Sequence, residues 1–267
     1  HRAPLSGLRY RFGTGPRGPL PGFRPAVPFS RDTGMDCRFT IKQWAAWAPG
    51  LTGQAEWLEW FARPHSVSGD YAPALTEMPA MMRRRVERLG RAALQVAYRA
   101  LEGAPACPAV FASRYGDMQR SVELMLQLAR DGAVSPTAFS MSVHNAFAAL
   151  FSIARADRSN YSAVSAGAET AECAFVEALG LLADGAAEVL VVYYDEPLPA
   201  PLQRFSHPAE FLRAWACRIA LADAGGIAIR CDPGSPPGLD DLESAATIPT
   251  DLALLRFLSG RAPDYRR

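Results

Sequence analysis

Acid–base or thiol chemistry in this chain has to come from four histidines, five cysteines and the hydroxyls near them. His1 falls in an atypical first segment, His65 in a loop and His207 just before Pro208. Only His144 stands in a patterned context, within Ser142-Val143-His144-Asn145. General acid–base work needs a second group within hydrogen-bond reach, and a histidine beside an asparagine is more often a hydrogen-bonded structural residue. Cys37, Cys107, Cys173, Cys217 and Cys231 are scattered, with no C-x-x-C pair and no histidine close by. That distribution speaks against a disulfide framework and a zinc site, and for buried, reduced thiols. No metal or other cofactor is expected. Gly13-Thr14-Gly15-Pro16-Arg17-Gly18 fits G-x-G-x-x-G, but a dinucleotide fingerprint comes after a strand and opens a helix. Here no strand pattern precedes it, and Pro16 and Pro19 break any helix at this point.

The most informative stretch is 160–196. It reads as a strand over 161–165, a turn of small residues, a helix over 169–183, Gly185 as its stop and a strand over 188–194. A turn of this kind sets one residue at a helix N-terminus. There, unpaired N–H groups and the helix dipole favour a thiolate and stabilise an oxyanion.

Several elements must hold that turn in place. A strand or strand pair is expected over 38–47 and a short helix over 54–62. A helix over 79–101 carries Met81, Met82, Val86, Leu89, Ala92, Ala93, Val96 and Ala97 as an apolar stripe at helical spacing. A short buried strand comes next at 109–113, then a helix over 118–129 that Gly132 stops. A helix-like run begins after Asn145. Residues 215–222 and 226–230 look like a hairpin around Asp223-Ala224-Gly225, and 252–258 like a last short helix. Strands alternating with helices predict an α/β fold with a mixed, mainly parallel sheet flanked by helices.

Composition narrows the function classes. Of 267 residues, 49% are hydrophobic and 21% charged, enough to bury a sizeable core. Residues 1–34 differ from the rest, with six arginines, six prolines and one acid. They are expected to be a disordered arm, or expression-derived or upstream-translated sequence, ahead of a single domain over 35–267. Without those six arginines and Asp32 the body carries −4, which offers no footprint for nucleic acid. No apolar run approaches the ~20 residues of a membrane span, and no secretory h-region is visible after Met35. The cytoplasm is the expected location.

The turn region resembles the nucleophile region of the β-ketoacyl synthases, whose pattern Val-Ser-Thr-Ala-Cys leads into a small-residue helix. Val164-Ser165-Ala166-Gly167-Ala168 fills those five positions, so Ala168 stands where the family has its nucleophilic cysteine. Cys173 comes five residues later, more than a helical turn past the site. Ser142-Val143-His144-Asn145 together with Asp195-Glu196-Pro197-Leu198-Pro199 is similar to a narrower group, the short chain-length-factor-like proteins of aryl-polyene-type pathways. The resemblance covers about 35–260 and implies a thiolase-like half-fold without the second half that carries the family's catalytic histidines. It further implies a non-catalytic subunit that pairs with an active β-ketoacyl synthase and shapes its acyl or polyene tunnel, with an acyl carrier protein as a further partner. Ser142, His144, Asn145, Tyr161, Val164 and Ser165 are then the interface or tunnel candidates, and catalytic residues are none. Such a half-fold is expected to leave a sheet edge and a sheet face uncovered. Two other readings stay open. One is a small thioesterase or acyltransferase using Cys173 or Ser165 with His144 as base. The other is an acyl-binding homodimer.

Overall fold

The computed structural model describes residues 37–206, 209–222, 226–229, 248–262 and 265. The arm expected over 1–34, its G-x-G-x-x-G match and His207 lie outside the described residues.

Six strands form one sheet: β1 (Cys37–Trp47), β2 (Ala109–Ala112), β3 (Tyr161–Val164), β4 (Val189–Asp195), β5 (Arg213–Leu221) and β6 (Ile227–Ile229). Their spatial order is β3-β2-β4-β5-β1-β6. β2 pairs parallel with β3 and β4; β5 runs antiparallel to β4 and β1, and β6 antiparallel to β1. Strands β1, β2, β3 and β4 therefore share one direction.

β4 shows how sequence dictates position. Val-Leu-Val-Val-Tyr-Tyr is apolar at every residue, the signature of a strand covered on both faces. All seven residues of β4 are buried. Val189, Val191 and Tyr193 face one core and Leu190, Val192 and Tyr194 the other, the two-residue alternation of a strand. The first core is closed by helices α1 (Gln54–Ala62), α7 (Thr170–Ala183) and α8 (Thr250–Leu258). The second is closed by α3 (Arg88–Ala100) and α6 (Ala146–Arg155). Both sheet faces are thus covered from within the chain, which corrects the expectation of an open face.

Two further expectations need correction. The hairpin over 215–230 does not form, because β5 already has β4 on one edge and β1 on the other. β1 lies between β5 and β6, so that Phe39 pairs with both Leu221 and Ile227. The helix over 79–101 is two pieces, α2 (Ala80–Arg83) and α3, with Val86 buried between them. Arg91 takes up the carbonyls freed at the break, donating from Nε to Val86 O and from Nη2 to Arg83 O.

Between β2 and β3 the chain makes an excursion through α4 (Met118–Asp131), α5 (Pro136–Ser140) and α6. Asp117 caps α4 by accepting from Arg120 N at 3.0 Å, and left-handed Gly132 ends it. Yet only Val122 of α4 is buried. Met125, Leu126, Leu128, Phe139 and Val143 stand exposed, Leu126 by 62% and Phe139 by 59%.

Candidate functional site

In α/β sheets, ligands and partners gather at the carboxyl ends of parallel strands, and here the loops after β2, β3 and β4 converge. The turn after β3 is built by its own residues. Gly167 takes φ +61°, a conformation that a side chain disfavours. Thr170 Oγ1 accepts from Ala166 N at 2.9 Å and donates to Gly167 O at 2.8 Å, fastening the turn to the start of α7. Ala168 sits in this turn with no reactive group, and Cys173 lies inside α7.

His144 is tied to the end of β3. Its Nε2 lies 3.2 Å from Val164 O; a carbonyl only accepts, so Nε2 carries the proton. Ser113 N donates to the same carbonyl at 3.2 Å. Gly116, at φ +68°, passes so close that an added Cβ would stand 2.9 Å from His144 Nδ1. Tyr194 OH donates to His144 O, and Ser165 Oγ donates to Arg114 O at 3.0 Å. His144, Val164 and Ser165 therefore come together around loop 113–116. Ser142 does not join them: its Oγ donates to Phe139 O within the α5 segment. Asn145 is exposed at the start of α6. Tyr161 opens β3 at its far end, roughly 10 Å from Val164 at ~3.3 Å per residue.

Beneath this loop lies a polar cluster that sequence reasoning missed. Asp195, fully buried at the end of β4, accepts from Ser113 Oγ at 2.8 Å, Tyr193 OH at 2.6 Å and Arg114 N at 3.2 Å. Opposite it in the register stands buried Arg213. Arg213 binds Asp251 of α8 through Nε and Nη2, the latter at 2.6 Å, and Glu210 through Nη1. Trp215 Nε1 also donates to Asp251 at 3.0 Å and stacks on Tyr193 with ring centroids 5.4 Å apart. Two carboxylates thus bind one guanidinium, and a third, Asp195, lies opposite it in the register. Burial is the main cause that pushes Asp195 up to about 6, opposed by Arg213 and by its hydrogen bonds. Burial likewise raises Glu196 to about 7 although Arg88 pairs with it at 2.9 Å. The signal for this cluster was an aspartate closing an all-apolar strand and an arginine opening another.

Chemically, the groups at this end are engaged in holding backbone. The Ser165 hydroxyl is spent on the Arg114 carbonyl and not on His144, and the His144 nitrogen left to accept, Nδ1, faces Gly116, so the two are not arranged as nucleophile and base. The Cys107 and Cys217 thiols are buried, and burial pushes them up to about 11 and about 12.

The sequence matches the family described as "Beta-ketoacyl synthase, N-terminal domain" over residues 57–263. No curated protein matches it. Among solved structures it is similar to a chain of the ketosynthase (ApeO) in complex with its chain length factor (ApeC) from Xenorhabdus doucetiae. That likeness is 28% identical with a TM-score of 0.63, over 69% of this chain and 79% of the other. The ishigamide ketosynthase/chain length factor is 17% identical at TM-score 0.56, over 70% of this chain and 63% of that one. A β-ketoacyl synthase from Burkholderia phymatum STM815 is 14% identical at TM-score 0.53, over 70% and 60%. The chain thus matches under two thirds of the length of the last two, which share its fold. No helix among the described residues is long and apolar enough to cross a membrane.

Proposed function

Because this chain belongs to the family of β-ketoacyl synthase N-terminal domains and has their thiolase-like half-fold, we propose that it is a non-catalytic, chain-length-factor-like subunit. It pairs with an active β-ketoacyl synthase in the cytoplasm and shapes the acyl or polyene tunnel of that partner, in an aryl-polyene-type pathway. The single domain over 35–267 is the working unit. The observation that carries this reading is Ala168: the turn and helix that would activate a thiol are kept, and the thiol is gone. The exposed apolar side chains between β2 and β3, leading to an edge strand with no neighbour beyond it among the described residues, supply the surface for a partner. The small-enzyme reading is disfavoured because the Ser165 hydroxyl is directed to the Arg114 carbonyl while the accepting nitrogen of His144, Nδ1, faces Gly116.

His144 holds β3 from the partner-facing side. Replacing it by alanine should weaken the complex roughly tenfold, the worth of a half-buried hydrogen bond plus lost packing. The Kd from biolayer interferometry checks this, and His144→Ala with unchanged affinity and product length would remove His144 from the site.

For the acyl carrier protein, the basic surface beginning at α2 is the suitable face. The side chains of Arg84 and Arg85 are exposed and engage no group among the described residues, beside Met81 at 78% exposure. Reversing both charges should slow condensation of carrier-bound substrate roughly tenfold at low salt and little at high salt, as screened electrostatic docking requires. Equal rates for variant and native complex across ionic strengths would place the carrier elsewhere.

A further inference from the structure

We propose that Asp195 is a positioning residue for the partner-facing end of β3, acting through Ser113 and loop 113–116; this rests on the pairing reading above. Each link is a hydrogen bond. Asp195 fixes Ser113 Oγ and Arg114 N. Ser113 Oγ in turn accepts from Gly116 N at 2.7 Å, and Ser113 N donates to Val164 O. Arg114 O receives the Ser165 hydroxyl, and Gly116 forms the wall against His144. One carboxylate thus sets the loop against which the end of β3, Ser165 and His144 are aligned.

Asp195 is free to do this because Arg213 is not spent on it. The guanidinium is taken by Asp251, Glu210 and the Phe211 carbonyl. The charged or titratable groups facing Asp195 are Arg213 from β5, Glu210 from the segment before it, Tyr193 and Tyr194 from its own strand and Tyr115 from the loop, with Asp251 of α8 facing Tyr193. Held mainly by neutral donors among other acids, the buried carboxylate takes up a proton at a higher pH than an exposed one.

The pH signs separate positioning from bulk stability. With its folded pKa raised to about 6, Asp195 contributes stability that is complete below its unfolded value and lost as pH rises through 6. Acidification therefore does not weaken the fold through this residue. It does change the hydrogen bonding: a protonated carboxyl donates through one oxygen, to Ser113 Oγ or to Tyr193 OH, and as a neutral group it accepts more weakly from the donors it keeps. The charge-assisted bonds from Ser113 Oγ and Arg114 N are thereby weakened or lost, and the loop is held less firmly. Partner affinity should fall where domain stability rises.

The test uses Asp195→Asn, which keeps the shape and mimics the protonated state at every pH. For the native chain, the Kd for the synthase should rise roughly tenfold between pH 7.5 and 5, the worth of a hydrogen bond to a charged group. Asp195→Asn should show the weaker affinity throughout, with a flat profile. On the chain alone, hydrogen-exchange protection of the Arg114 and Gly116 amides should drop roughly tenfold in the variant at pH 7.5. Ser113→Ala, which leaves Asp195 in place, should lose the Gly116 protection too and serves if Asp195→Asn does not fold. Native-like affinity, pH profile and protection in the variants would overturn the proposal. If the native chain binds no synthase at any pH, the pairing reading fails, while the exchange data still decide the role of Asp195.

Discussion

Replacing Asp251 by alanine should lower the unfolding free energy of the domain by about 3–5 kcal/mol, the cost of removing one partner from a buried ion pair. Asp251 is 2% exposed and receives Arg213 Nε, Arg213 Nη2 and Trp215 Nε1. Without it, a fully buried guanidinium keeps only Glu210 and a carbonyl, and the indole N–H loses its acceptor. The effect is amplified because Asp251 opens α8, whose Leu252, Leu254, Leu255 and Leu258 close the first core over α7 and the sheet. Asp251→Asn retains the shape and some of the hydrogen bonds, so it should lose less. Equilibrium urea unfolding at pH 7.5 measures both variants. A loss under about 1 kcal/mol for Asp251→Ala would mean that water reaches this cluster and that α8 is not fastened through it.

The second large effect is on assembly. Ala163 is exposed in the middle of β3, whose one neighbour among the described residues is β2, in parallel register with Phe111 opposite. A charge in an edge strand blocks pairing with another chain. Ala163→Asp should therefore weaken the complex at least a hundredfold, about 3 kcal/mol. The lone domain should change by within about 1 kcal/mol, the span of strand propensities. Analytical ultracentrifugation of the variant with the synthase, beside a thermal melt of the variant alone, separates the two quantities. An intact complex would move the partner contact away from β3.

These effects rest on features of unequal visibility in the sequence. The buried strand β4 was legible because six consecutive apolar residues admit few other readings, and α1 because its glycine start and aromatic stripe are local. The break between α2 and α3 was not legible. It carries no proline or glycine, and it exists because Val86 is drawn into the second core while Arg91 absorbs the freed carbonyls. The false hairpin had the same origin. Asp223-Ala224-Gly225 is a sound turn signal, but turn chemistry cannot show that β1, far earlier in the chain, occupies the edge of β5. Within the site, the small-residue turn and His144 could be found from their types and spacing. Asp195 and Arg213 left only the weak signal of a charge at the end of one apolar strand and the start of another, since charged residues are presumed exposed and only the register sets them side by side.

The mass and activity of a co-expressed pair test the partner-subunit role most directly. The full chain, tagged and expressed with the β-ketoacyl synthase of its own pathway, should elute as a one-to-one complex. That complex should condense substrate while either chain alone does not, and Ala168→Cys should not be needed for activity. A chain that elutes alone, beside a synthase fully active without it, would contradict that role.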